Sequence, residues 1–172
     1  ENTTMNDIAL ASKKGRRTLY TYFKSKEDIY MAVVESELDM LSDMMKRVAE
    51  KNISPDEKMI EMIYTRLDAV KEVVFRNGTL RANFFRDIWR VEKIRKNFDI
   101  RETELIQGIL EAGVKEGIFA MPDTEITAVV LHHALKGLEV PYIRGIMGDN
   151  ISQRIKRRDN VMNLIFNGIK IK

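Results

Sequence analysis

Between Lys13 and Lys26 the chain carries Lys13, Lys14, Arg16, Arg17, Lys24 and Lys26 and not one acidic residue. Hydroxyl and aromatic residues are interleaved with the cations: Thr18, Tyr20, Thr21 and Tyr22. Leu19 and Phe23 are four apart, so on a helix they share one face and anchor it to a small core. Arg17, Tyr20, Thr21 and Lys24 then fall on the opposite face. A short helix with one anchored face and one face of cations and hydroxyls is what a DNA major groove admits. A charge run by itself also describes a solvated helix face. The Tyr/Thr interleaving favours a polyanion partner.

The residues upstream constrain the reading further. Thr4-Met5-Asn6-Asp7 has the form of a capping box, with Thr4 as N-cap and Asp7 reaching back. A short helix is expected through Met5, Ile8, Ala9 and about Ala11. Ser12 to Gly15 suits a tight turn, and Ala9 is small enough to let two helices approach. Helix, short turn and a second helix with a basic outer face make a helix-turn-helix.

Thr3 to Ala9 together with Thr18 to Ile29 resembles the DNA-binding signature of tetracycline-repressor-like (TetR) transcriptional regulators. The resemblance covers roughly the first 34 residues and includes the spacing from Ile8-Ala9 to Leu19-Tyr20. It implies an all-α fold: a helix-turn-helix domain over residues 1–46, with its connecting helix, and a helical-bundle ligand-binding and dimerisation domain over residues 47–172. It also implies a further helix ahead of Glu1, so that the DNA-binding unit lacks its first helix and the region before about Ser25 is poorly held. The chain departs from the family pattern at Ser12-Lys13-Lys14, where Ala-Gly-hydrophobic is usual. A left-handed backbone at Lys13 in place of glycine costs about 1–2 kcal/mol. Lys14 is expected to lay its methylenes over the small core. The family positions imply DNA contacts by Thr4, Arg16, Arg17, Thr18, Tyr20, Thr21, Tyr22 and Lys26. Arg16 and Arg17 are candidates for a base edge or a phosphate, Thr21 for a base or a thymine methyl. Tyr20, Tyr22 and Lys26 match phosphate-gripping positions.

Composition bounds the alternatives. The 172 residues are 44% hydrophobic and 32% charged, with three prolines and nine glycines. That fits a globular chain and argues against disorder and an all-β fold. The net charge of +3 is modest, so placement of charge says more than its sum. No cysteine is present, which excludes disulfides and thiolate metal sites. No apolar run approaches the roughly 18 residues of a bilayer span. The expected location is the cytoplasm.

The remainder reads as helices. Ser25 caps a long one carrying Ile29, Val33, Leu38 and Leu41 to about Lys51. Ser54-Pro55-Asp56-Glu57 starts the next, which runs through Ile60, Ile63, Tyr64, Leu67, Val70 and Val74 to near Asn77-Gly78. A shorter stretch holds Leu80, Phe84, Phe85, Ile88 and Trp89. Another begins near Phe98 and ends at Gly117. Pro122-Asp123 opens a helix that is apolar on nearly every side from Ile126 to Leu138, which predicts burial all round, partly against a second subunit. Pro141 is expected to kink or end it near Val140. A last helix from about Asn150 places Ile151, Ile155, Met162, Ile165 and Ile169 on one stripe. The dimer interface is therefore expected at Val130, Leu138, Ile155, Met162 and Ile165.

Neither His132 nor His133 is preceded three residues earlier by glutamate, and adjacent helical residues point about 100° apart. No metal site, cofactor or catalytic constellation is expected. A histidine hydrogen-bonded in the core or lining a cavity is the expected role. Tyr64, Phe84, Phe85, Trp89 and His133 are candidates to line a cavity for a small apolar or amphipathic ligand. Aromatic residues at helical spacing are also ordinary core. Arg154, Lys156, Arg157 and Arg158 form a second basic cluster, taken as solvated or inter-subunit. The favoured reading is a ligand-responsive DNA-binding regulator, a repressor acting as a homodimer on a palindromic operator in double-stranded DNA. A helical protein-interaction adaptor and, further off, a helical-bundle enzyme remain as alternatives.

Overall fold

The computed structural model describes residues 3–76 and 88–145, with Asn160, Asn163 and Leu164. Its elements are all helices: α1 (Met5–Ala11), α2 (Arg16–Tyr22), α3 (Lys26–Ala49), α4 (Pro55–Arg76), α5 (Ile88–Lys115) and α6 (Thr124–Ile143).

Caps set the boundaries. The Thr4 hydroxyl accepts from Asp7 N while the Asp7 carboxylate accepts from Thr4 N, closing a capping box at α1. Ser25 and Asp28 repeat the device at α3. At α4 the Glu57 carboxylate accepts from Ser54 N at 3.2 Å and from its hydroxyl at 3.1 Å. Asp123 caps α6 by accepting from Ile126 N. The turn between α1 and α2 passes through Lys13 at φ 54, the only non-glycine residue with positive φ among those described. The left-handed turn expected from the sequence is therefore formed by a lysine.

The first two helices rest on a very small core. Ala9 and Leu19 are its buried members, and Phe23 is half-buried. Lys14 is exposed. From Val34 onward α3 leaves this unit and packs into a bundle with α4, α5 and α6. Its residues Leu41, Met45 and Val48 join one core with Met59, Met62, Ile63 and Leu67 of α4, Phe98, Ile106 and Leu110 of α5, and Leu135 and Tyr142 of α6, while Val34 packs with Val73 and Ile94. Residue 46 falls in the last turn of α3, so one continuous helix crosses the expected domain boundary.

Two expectations about helix ends are corrected. A separate helix was expected to begin near Phe98, but α5 is one helix from Ile88 to Lys115. Its buried stripe continues through charged residues, Arg95 and Glu102, which take core positions beside Phe98 and Ile106. Pro141 does not end α6, which runs on to Ile143. The proline sits in the last turn, where few carbonyls remain to be paired, and burial of Tyr142 and Ile143 holds the turn in place. In the single chain Ile126, Val129 and Val130 of α6 are 63%, 42% and 60% exposed.

After α5 the chain reverses through Gly117 at φ +73 and inserts Phe119 into the bundle. A Cβ at Gly113 would lie 2.0 Å from the Phe119 ring, so only glycine permits this approach. Phe84 and Phe85 lie outside the described residues, as do Ile155, Met162, Ile165 and the basic cluster Arg154 to Arg158.

The strained lysine makes a prediction. Lys13→Gly removes the steric cost of the left-handed backbone and adds some unfolded-state entropy, for a net gain of about 1 kcal/mol. Urea unfolding of the variant should shift its midpoint upward, whereas Lys13→Val should shift it down.

Candidate functional site

The outer face of α2 is the first candidate. Arg16, Arg17, Thr18, Tyr20, Thr21 and Tyr22 are all exposed, and Leu19 alone on this helix is buried. No acidic side chain lies in its first turn, and Gly15 at the N-cap supplies no side-chain cap. The helix N-terminus therefore presents free N–H groups beside two guanidinium groups, an arrangement that attracts phosphate. Arg16 lies over the Tyr20 ring at 5.6 Å from its centroid. The Thr21 hydroxyl donates to Arg17 O at 3.1 Å, which leaves its methyl as the surface it offers.

Thr4 and Lys26 lie at the starts of α1 and α3. Lys26 Nζ donates to Thr3 O at 3.3 Å and ties the start of α3 to the start of α1. The Thr4 hydroxyl donates to Asp7 at 2.7 Å and is committed to the cap. The Thr4 N–H, and after it the hydroxyl, hold the Asp7 carboxyl below the usual carboxylate range.

A second constellation, not anticipated from the sequence, lies inside the bundle. Arg66 of α4, Arg95 and Glu102 of α5, and His132 and Glu139 of α6 are all buried. Arg66 Nε donates to Glu102 Oε1, and Arg66 Nη2 lies 2.9 Å from Glu139 Oε1. Arg95 grips Glu139 with two hydrogen bonds, 3.0 Å and 2.7 Å. His132 Nδ1 is 2.6 Å from Glu102 Oε2, while its Nε2 is 3.8 Å from Asp99 Oδ1. Lys136 reaches Glu92 at 2.9 Å and Asp99 at 3.1 Å. Burial pushes the Glu139 carboxyl up, but the hydrogen bonds and charges of Arg95, joined by Arg66, outweigh it and leave the group lowered. Burial likewise opposes the charge on Arg95, and Glu139, Asp99 and Glu102 together raise it.

Asp99, Glu102 and His132 bring donor atoms within 4.8 Å of one another. The chemistry of the set does not favour a metal ion. Arg66 and His132 already occupy both Glu102 oxygens, Lys136 holds Asp99 Oδ2, and a divalent cation would meet three basic side chains at close range. The triad is part of an ion-pair network spanning three helices.

Comparison with known proteins bears on the first site. The family described as bacterial regulatory proteins, tetR family, matches residues 1–33, the segment that forms α1, α2 and the start of α3. Residues 1–33 thus carry the DNA-binding segment of that family, and the rest of the chain resembles its transcriptional regulators. The chain is 21% identical over 170 residues to the HTH-type transcriptional regulator QacR of Staphylococcus aureus, covering 97% of this chain and 87% of that one. A crystal structure of a transcriptional regulator from Cytophaga hutchinsonii superposes with a TM-score of 0.77 at 23% identity, over 99% of this chain and 89% of that one. The regulator FadR of Bacillus subtilis, solved in complex with stearoyl-CoA, gives a TM-score of 0.67 at 17% identity, over 96% and 88%.

In this fold the remaining candidates are dispersed. Tyr64 is half-buried on α4. Trp89 belongs to α5 by its backbone, and its side chain is outside the described set. His133 does not face the interior: it is exposed and lines a groove of about 730 Å³ between α5 and α6 with Glu92, Asp99, Glu104 and Glu125. Glu102 holds the neighbouring His132 inward, and one residue along a helix turns the side chain about 100° away. Val130 is exposed on the outer stripe of α6, whereas Leu138 is half-buried and packs against the core. Charged residues recurring at core positions of apolar stripes, as Arg66 does between Ile63 and Val70, were the overlooked signal. Among the described residues no helix is long and apolar enough to cross a membrane.

The network makes stability sensitive to acid. Because the Glu139 carboxyl is lowered in the fold, the unfolded chain takes up its proton first. Stability is whole above the ordinary value of 4.5 and is lost as pH falls below it through the folded value. Urea unfolding from pH 7 to 3 should show this loss, and Glu139→Gln should flatten the acid limb.

Proposed function

We propose that this regulator is a ligand-responsive repressor that binds a palindromic operator as a homodimer. The observation that carries the DNA part is the acid-free, exposed face of α2, seated on buried Ala9 and Leu19. In this reading Arg16 and Arg17 enter the major groove from the N-terminal end of α2, and Thr18 lies beside them. Thr21 offers its methyl to a thymine. Tyr20, Tyr22, Lys26 and the start of α1 at Thr4 grip phosphates on either side.

Dimerisation rests on the apolar stripe of α6. Ile126, Val129 and Val130 are too exposed for a helix with no partner, and exposed Ala134 and Gly137 continue the same side. A two-fold axis along this stripe, with Ile155, Met162 and Ile165 contributing, sets two reading helices about 34 Å apart or a multiple of it. The ligand part is supported by the bundle of α3 to α6, whose core is rich in methionine, and by FadR, which holds stearoyl-CoA on the same fold. An amphipathic effector seated there shifts the dimer away from the operator-competent spacing. The reading assigns the chain no catalytic role and places it in the cytoplasm, where operator DNA is found. An adaptor binding an acidic protein would use the same basic face, but it would not discriminate among DNA sequences.

Selection of bound DNA from a random pool, followed by mobility shifts, tests the proposal. Binding should fall steeply as salt rises, because phosphate contacts release counterions. Arg17→Ala should cost about 1–3 kcal/mol and relax one base position. Lys26→Ala should weaken all sequences alike. Equal, sequence-blind losses for both variants would restrict Arg17 to a phosphate.

The dimer has its own test. Val130→Arg leaves the monomer core untouched, since Val130 is 60% exposed. Light scattering should report monomers at micromolar concentration, and operator binding should be lost although Val130 is remote from α2. A variant that stays dimeric would move the interface elsewhere.

A further inference from the structure

The ion-pair network contains a donor that the protein does not use. Arg66 is 0% exposed, yet among the described residues its Nη1 has no hydrogen-bond acceptor. Nη2 lies beside Glu139 as an ion pair without an aligned hydrogen bond. Leaving a buried, ionised donor without an acceptor carries the full desolvation penalty of the group. The nearby carboxylates have little to spare. Glu139 gives both oxygens to Arg95, and the second oxygen of Glu102 faces His132.

We infer that the Arg66 guanidinium is the polar anchor of the effector site, and that the effector presents to it an uncharged oxygen acceptor such as a ketone, ester or amide carbonyl. The inference rests on the reading that the bundle binds an amphipathic ligand, and adds its chemical class.

Charge decides between a neutral and an ionised acceptor. Arg66, Arg95 and Lys136 face Glu92, Asp99, Glu102 and Glu139. Even with His132 counted among the cations, no positive charge is left over. A carboxylate or phosphate entering here would bring a buried charge without a counter-ion, which desolvation disfavours. An organic cation would meet Arg66 itself. A carbonyl accepts from Nη1 and adds no charge.

The surroundings suit an apolar body behind that oxygen. Met62 lies one turn before Arg66 on α4, and Phe98 lies between Arg95 and Glu102 on α5, all in the buried interior. Unbranched methionine side chains repack at small cost to admit a guest. A route to the reading head also exists. Arg95 follows Ile94, which packs on Val34 of α3. Drawing Arg66 towards a ligand disturbs its partner Glu139, then Arg95, and then the Ile94 contact with the connecting helix.

Three probes with one apolar body test the class: 2-decanone, decanoate and decyltrimethylammonium. Each is titrated calorimetrically into the intact regulator, and the carbonyl stretch of bound 2-decanone is recorded by infrared difference spectroscopy. The ketone should bind about tenfold tighter than either ion, the equivalent of about 1.4 kcal/mol. Its stretch should move to lower frequency than in hexane, as hydrogen bonding to a cation requires. Arg66→Lys keeps the charge but removes the Nη donors, so both the preference and the shift should disappear. Should that variant fail to fold, the wild-type spectrum decides. A ketone bound with an unshifted stretch means that Nη1 is served by water, and overturns the inference. Equal affinity for all three probes also overturns it, while leaving the ligand-responsive reading intact. Binding of none of them counts against both.

Discussion

Arg66 is held between two carboxylates on two different helices, and the arrangement of the bundle follows from that. Apolar stripes can slide past one another by a turn at modest cost. A guanidinium facing Glu102 of α5 and Glu139 of α6 cannot, because any slip leaves a buried charge without its partner. Removing one member of such a buried pair typically costs about 3–5 kcal/mol. The ion-pair network thus contributes register more than net stability. It also explains why α5 stays helical through a polar run: Arg95 and Asp99 are drawn inward by Glu139 and Lys136.

The two ends of the molecule are built on opposite principles. The reading head is a thin unit whose described core is Ala9 and Leu19, with its charge turned outward to solvent. The bundle turns charge inward and surrounds it with hydrophobic side chains. Exposed cations are cheap to hold and ready to exchange water for phosphate. Enclosed charges are expensive and must be mutually satisfied, so they report small displacements as changes in free energy. A switch protein needs both properties, and α3 is the element that belongs to each.

Much of this was legible in the residues. The capping residues Thr4, Ser25, Ser54 and Asp123 marked helix starts because a cap is a local interaction. The left-handed turn at Lys13 followed from a family position usually filled by glycine. The interleaved cations and hydroxyls of α2 were readable because exposure leaves their pattern undisturbed. Long-range pairing was not readable. Nothing local to Arg66 points to Glu102, 36 residues away, and a hydrophobic periodicity search passes over a charged residue at a core position. The inward turn of His132 and outward turn of His133 likewise depended on Glu102, on another helix. The helix start wrongly expected near Phe98 has a similar origin, since Arg95 is held in the core by Glu139 on another helix.

The cap at Ser25 carries a mechanical meaning. Asp28 accepts from Lys24 N at 3.0 Å and from Ser25 N at 2.9 Å, so the residues that leave α2 are clamped to the first turn of α3. The Asp28 carboxylate ties this joint, and α3 runs on from it as one continuous helix. Its 24 residues span about 36 Å at 1.5 Å per residue. A tilt of about 5° at the bundle end then sweeps the head through about 3 Å, close to the rise of one base pair. Small rearrangements among buried side chains are thereby magnified to the scale on which DNA is read.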